Sequence, residues 1–195
     1  MDSQNLSSKE QMNIIENALK QTSQQKTGAS NYYIIWGFTL IAYFVIQFLN
    51  AHFRTETTAV LGNYSNLLFP VGGIFSFLQS RKDDKTESVI LLKEKIYTYS
   101  WIGANIGLGV LSVAFLGNFI EMFCVAVLVI FGLVNFIIGG ITGFKPLLIG
   151  GVLSMLLTII VPHCSIEFKF LVTALGLLFS CLIPGLIMKS TNASV

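Results

Sequence analysis

Long apolar runs alternate with short polar joints along this chain, and the runs have the length of membrane crossings. Six stand out, at residues 32–50, 60–80, 97–117, 119–143, 146–162 and 168–188. About 20 apolar residues in a helix traverse the hydrocarbon of a bilayer. Between Phe119 and Val161 only Glu121 and Lys145 are charged, which is far too long a run for one crossing. The second segment is the most polar, with Leu61-Gly-Asn-Tyr-Ser-Asn66 in its first half and Pro70 interrupting it. The fifth is the shortest. A backbone that crosses lipid must satisfy its own hydrogen bonds, so each run is expected to be a helix. The pattern predicts an all-α integral membrane protein, a six-transmembrane-helix bundle of three hairpins.

The joint between the fourth and fifth segments lies within FIIGGITGFKPLLIGG, residues 136–151. Pro146 cannot continue a helix without losing a backbone hydrogen bond and clashing with the preceding turn. Gly143 suits a left-handed C-terminal cap, Lys145 the negative end of the helix dipole, and Pro146 the first turn of the next helix. These residues predict a tight helical hairpin in preference to a binding motif or to a re-entrant loop, which needs a longer non-helical stretch.

Before the first run come 31 polar residues without a signal-peptide pattern. Within them, SSKEQMNIIENALK (7–20) predicts a short N-terminal amphipathic helix. Ser7 and Glu10 fit a capping box, and Met12, Ile15 and Leu19 share one face. Such a helix could lie in the membrane interface, dock a partner, or act only as a polar leader that sets topology.

Charge sets the expected orientation. With the N-terminus cytoplasmic, ten of the twelve Lys and Arg residues fall inside and only Arg54 and Lys169 fall outside. Both termini are therefore expected in the cytoplasm. The expected plan is a leader at 1–31, a membrane domain at 32–189 and a tail at 190–195. The 81–95 loop, in which Asp83, Asp84, Glu87 and Glu94 alternate with bases, is the main inner connector. Tyr32, Tyr33 and Trp36, with Tyr97, Tyr99 and Trp101, are placed at the inner interface, where amphipathic rings sit.

Composition changes the picture mainly by exclusion. Charged residues make up 11% against about 25% in soluble domains, and the net charge of +2 gives no basic face for nucleic acid. Three scattered cysteines make no disulfide framework. No phosphate loop, dinucleotide fingerprint, zinc-protease box or nucleophile elbow is present in the sequence. His163-Cys164 with Glu167 holds ligand-type atoms but too few for a metal site, so no metal, cofactor or catalytic residue is expected. Glu121 is read as the acidic partner of a helix N-terminus, with a proton or cation relay as the alternative.

Two constellations remain. At 1.5 Å per residue from the inner end of each run, Thr39 lies roughly 10 Å deep, and Asn105, Asn135, Ser154 and Ser180 roughly 12–14 Å deep. This candidate polar layer is either a pocket or interhelical glue, and Asn105 and Asn135 could pair directly. Helix breakers recur in the inner halves of the even runs, as Pro70, Gly72 and Gly73, then Gly139 and Gly140, then Pro184 and Gly185. Gly103 and Gly107 add a small-xxx-small pair in the third run. All are candidates for close helix packing or for hinges.

The succession YYIIWG (32–37), FPVGG (69–73) with Arg81-Lys82, KIYTYSWIG (95–103), GITGFKPLLIGG (140–151) and CLIPGLIM (181–188) covers nearly the whole chain. It resembles a family of small, uncharacterised bacterial six-helix membrane proteins. The resemblance implies a bacterial cytoplasmic membrane and carries over no functional residues. The expected function is non-enzymatic, a regulatory or interaction module engaging a cytoplasmic or membrane protein through residues 1–28 and 81–95. The alternative is a small transporter or channel for a neutral solute or lipid. The bilayer itself is an expected partner, and oligomers are compatible with the glycine faces.

Overall fold

The computed structural model describes residues 8–83, 99–108, 110 and 120–193, and every regular element among them is helical. In chain order they are α1 (Ser8–Phe53), α2 (Glu56–Tyr64), a 3-10 turn (Ser65–Leu67) and α3 (Leu68–Asp83). Residues 99–108 form α4. Then come α5 (Ile120–Thr142), α6 (Lys145–Leu157), a 3-10 turn (Val161–His163), α7 (Ile166–Leu177), a π turn (Leu178–Leu182) and α8 (Ile183–Ala193).

Four stretches are long and apolar enough to cross a membrane: Ser30–Phe53, Met122–Thr142, Lys145–His163 and Ile166–Thr191. They match the first, fourth, fifth and sixth expected runs. The second is different, because the structure divides it into α2, the 3-10 turn and α3. The break falls at Ser65–Leu67, within the polar stretch and ahead of Pro70, which sits in the first turn of α3, where proline is tolerated. The third run lies partly outside the described residues, as do the 81–95 connector from position 84 onward and Ser7 of the expected capping box. Glu121 is the second residue of α5.

The leader also differs from expectation. In place of a separate short helix, α1 is one continuous helix of 46 residues that contains both the leader and the first run. No proline interrupts it, and its two glycines, Gly28 and Gly37, cost only about 1 kcal/mol each relative to alanine.

Two turns show how local sequence shapes the bundle. Gly143 has φ +72, Phe144 is extended, and Pro146 occupies the first turn of α6. This is the expected hairpin, except that Lys145 is the first residue of α6. At the end of α1, Arg54 takes the left-handed conformation at φ 49, with its Nε donating to Ala51 O at 3.2 Å. Thr55 then caps α2: Thr58 N donates to Thr55 Oγ1, while Thr55 N donates to Thr58 Oγ1 at 3.0 Å. Gln47 ties the turn together, its Nε2 donating to Gly62 O at 3.2 Å and to Ser65 Oγ at 2.9 Å.

α1 is the central strut, packed against α2, α3, α7 and α8, while the α5–α6 hairpin packs on α7 and the π turn. Glycines set the approach of these helices. A Cβ on Gly151 would lie 2.6 Å from Gly132 O, and one on Gly150 would collide with Phe179 O. Leu128, Phe131 and Leu147 fill the middle together with Phe44, whose ring is 6.1 Å from Phe123 and 6.4 Å from Phe170. Phe38, Leu133, Ile149 and Leu156 point outward and are exposed, as a surface bathed in lipid allows.

Candidate functional site

A polar cluster lies in the core where α1, α5 and the π turn meet. Tyr33 and Asn135 are both fully buried. Tyr33 donates its hydroxyl to Asn135 Oδ1 at 3.0 Å, and Asn135 Nδ2 donates to Ser180 O at 2.9 Å. The same Nδ2 lies 3.6 Å from Cys181 Sγ.

The origin of this cluster is covalent. Pro184 has no N–H, so it cannot return the helical bond to the carbonyl four residues earlier, which is Ser180 O. The chain widens into the π turn, where Ile183 N donates to Leu178 O, and a side chain from α5 supplies the donor that Ser180 O lacks. Gly185 completes the fit. A Cβ there would lie 2.8 Å from Tyr33 Cβ, so its absence lets α8 and α1 touch.

The expected polar layer is therefore partly assembled and partly dispersed. Asn135 and Ser180 meet. Ser154 is buried but makes a separate bond, donating from α6 to Leu128 O on α5 at 3.0 Å. Thr39 bonds back to Ile35 O at 2.8 Å within its own helix. Asn105 is exposed and donates to Trp101 O at 2.8 Å, so the expected Asn105–Asn135 pair is not formed. Asn105 lines a cavity with Phe123, Val127 and Phe131, whereas Asn135 is held between Tyr33 and Ser180.

The sequence reading missed Tyr33 as a member of this cluster. Its place in the sequence puts it among the interfacial rings, yet it stands in the core, its ring edge-on to Trp101 at 5.5 Å, and Trp101 in turn meets Phe131 at 5.3 Å.

The candidate packing residues divide similarly. Gly72 lies close to Thr39, Gly139 to the backbone of Leu148, and Gly185 to Tyr33. Among the described residues, nothing lies within 4 Å of a Cβ placed on Gly73, Gly103 or Gly140, and Gly107 makes only an ordinary contact with Ile130. Pro70 is exposed and Pro184 fully buried.

Beside the cluster is a cavity of about 570 Å³ between α1, the 3-10 turn, α3, α4, α5 and α7. α1 contributes Trp36, Leu40, Tyr43 and Gln47, one face of the helix at successive turns. α4 contributes Trp101, Asn105 and Leu108 at the same spacing, and α5 contributes Phe123, Val127 and Phe131. Among the described residues, none that lines it is charged. Among the described residues, no group of three His, Cys, Asp or Glu side chains could hold a metal ion. The chemistry on offer is neutral hydrogen bonding and apolar contact.

No family model matches the chain, and neither a curated protein nor a solved structure matches it.

Proposed function

We propose that this chain is a non-enzymatic multi-pass membrane protein of a bacterial cytoplasmic membrane, an interaction module that engages a protein partner through the N-terminal part of α1. The observation that carries this reading is the continuity of α1. The crossing stretch begins at Ser30, and the helix before it extends unbroken from Ser8, about 33 Å at 1.5 Å per residue. A helix that lay flat in the interface would have to turn where the crossing starts. A continuous one projects into the aqueous phase, and the apolar pattern of the sequence at Met12, Ile15 and Leu19 suits a docking groove on another protein.

Both termini lie in the cytoplasm in this reading, following the ten-to-two distribution of Lys and Arg. The path through α2, the 3-10 turn and α3 serves as the second crossing and α4 begins the third, giving six. This agrees with the resemblance to small bacterial six-helix membrane proteins. The second reading, a small transporter or channel for a neutral solute or lipid, is favoured by the uncharged cavity.

The test is affinity purification in mild detergent from native membranes, full-length protein against a deletion of residues 1–28. The reading expects a stoichiometric partner with the full-length protein that is lost with the deletion, while the bundle keeps its thermal transition. An intact bundle that carries the same partners in both forms would overturn it.

A further inference from the structure

We infer that the cavity between α1, α4 and α5 is a binding site for a neutral single-chain lipid, an acyl or isoprenoid chain ending in an uncharged oxygen such as an alcohol or amide carbonyl. The inference deepens the second reading by naming the ligand class of that cavity, and it does not depend on the α1 arm or on transport.

Shape gives the chain. The α1 wall runs from Trp36 to Gln47, roughly 16 Å at 1.5 Å per residue, and this length lies within the crossing stretch Ser30–Phe53. The cavity is thus long and set at hydrocarbon depth. Its volume of about 570 Å³ falls in the ordinary range of small-molecule sites. Leu40, Phe69, Leu108, Phe123 and Val127 make its middle apolar.

Charge gives the head group by exclusion. Among the described residues, no acidic or basic side chain lines the cavity, so a phosphate, carboxylate or ammonium would enter without a counter-charge in a dry environment, which is strongly unfavourable.

Hydrogen bonding gives the direction. At one end, Gln47 Nε2 is already occupied by Gly62 O and Ser65 Oγ. At the other, Trp101 Nε1 is buried with no acceptor among the described residues. A buried donor without an acceptor is destabilising, and an oxygen brought by a ligand removes that penalty. Asn105 stands one turn away with Nδ2 committed to Trp101 O, and its Oδ1 can accept from a hydroxyl. The head group therefore sits at the Trp36–Trp101 end, and the chain runs toward Gln47.

The protein carries two tryptophans, and both line the cavity, so it contains its own reporter. The experiment is quenching of tryptophan fluorescence in the full-length protein in detergent by dibromo-octadecanol, with dibromostearate as the charged counterpart. The inference expects saturable quenching by the alcohol, relieved by unbrominated octadecanol, and binding of the carboxylate at least about tenfold weaker. Val127→Phe, which fills the cavity, should abolish the saturable phase. Asn105→Leu, on an exposed position whose amide bonds to its own helix, should weaken binding several-fold without unfolding the protein. Trp101→Phe, read through Trp36, should weaken it about tenfold. Quenching that rises linearly and is equal in wild type and Asn105→Leu would overturn the inference, because the rings would then sense only dissolved quencher. Equal affinity for the carboxylate would overturn the neutral-head assignment.

Discussion

The side-chain amide of Asn135 donates to the backbone carbonyl of Ser180 at 2.9 Å, the carbonyl that Pro184, four residues on, cannot reach with a hydrogen bond. One side chain on α5 thus repairs a proline break in the last crossing stretch and, through Tyr33, ties both to α1. In a dry core no water takes over these bonds, so their loss is felt directly.

Replacing Asn135 with Leu is expected to destabilise the protein by about 1–2 kcal/mol, since both Tyr33 Oη and Ser180 O lose a partner. Tyr33→Phe removes one bond and should cost about 0.5–1 kcal/mol. The double variant should cost less than the sum, because the two residues share a bond. Unfolding titrations in detergent measure all three.

The glycines make a second set of predictions. Gly150→Ala pushes a Cβ into the carbonyl of Phe179 and should destabilise by about 1–3 kcal/mol. Gly140→Ala and Gly103→Ala place a Cβ with nothing within 4 Å among the described residues and should be neutral or stabilising by up to about 1 kcal/mol, because alanine favours helix. Melting temperatures of the three variants separate close-packed glycines from open ones.

The turn after α1 gives a third. Arg54 sits at φ 49, where glycine is relaxed and a β-branched residue is strained. Arg54→Gly should leave stability unchanged or improve it, and Arg54→Ile should lower it by at least about 1 kcal/mol. Thr55→Ala removes the cap of α2 and should cost about 1 kcal/mol. Thermal scans of the three variants check the order.

How far the sequence reading reached can be judged from individual residues. The hairpin at Gly143 was legible because a left-handed glycine and a first-turn proline leave few alternatives. Asn135 was legible as an important polar group by its depth in an apolar run. Its partner was not, since a crossing that is apolar all round carries no mark of which face turns inward. For the same reason Tyr33, one of three neighbouring aromatic residues, looked interfacial, and Asn105 looked like a mate for Asn135. The left-handed Arg54 was hidden because arginine is not a turn-forming type. Pro184 was read as a kink or packing position, and only the geometry links it to Asn135 through Ser180.

A fourth prediction concerns the arm. Gly28 lies just before the crossing stretch, so Gly28→Pro should interrupt α1 there and leave the bundle alone. Partner recovery should fall several-fold while the thermal transition stays in place. Gly28→Ala, which favours helix, should retain or improve recovery. Quantitative co-purification alongside thermal scans reads both effects.

The most direct measurement is photocrosslinking in living cells, with a photoreactive residue placed singly at Met12, Ile15 or Leu19 and, on the opposite face, at Glu10 or Asn17. The account predicts one shared protein adduct from the first three positions and little or none from the other two. Adducts to lipid alone, or no adduct from any position, would contradict it.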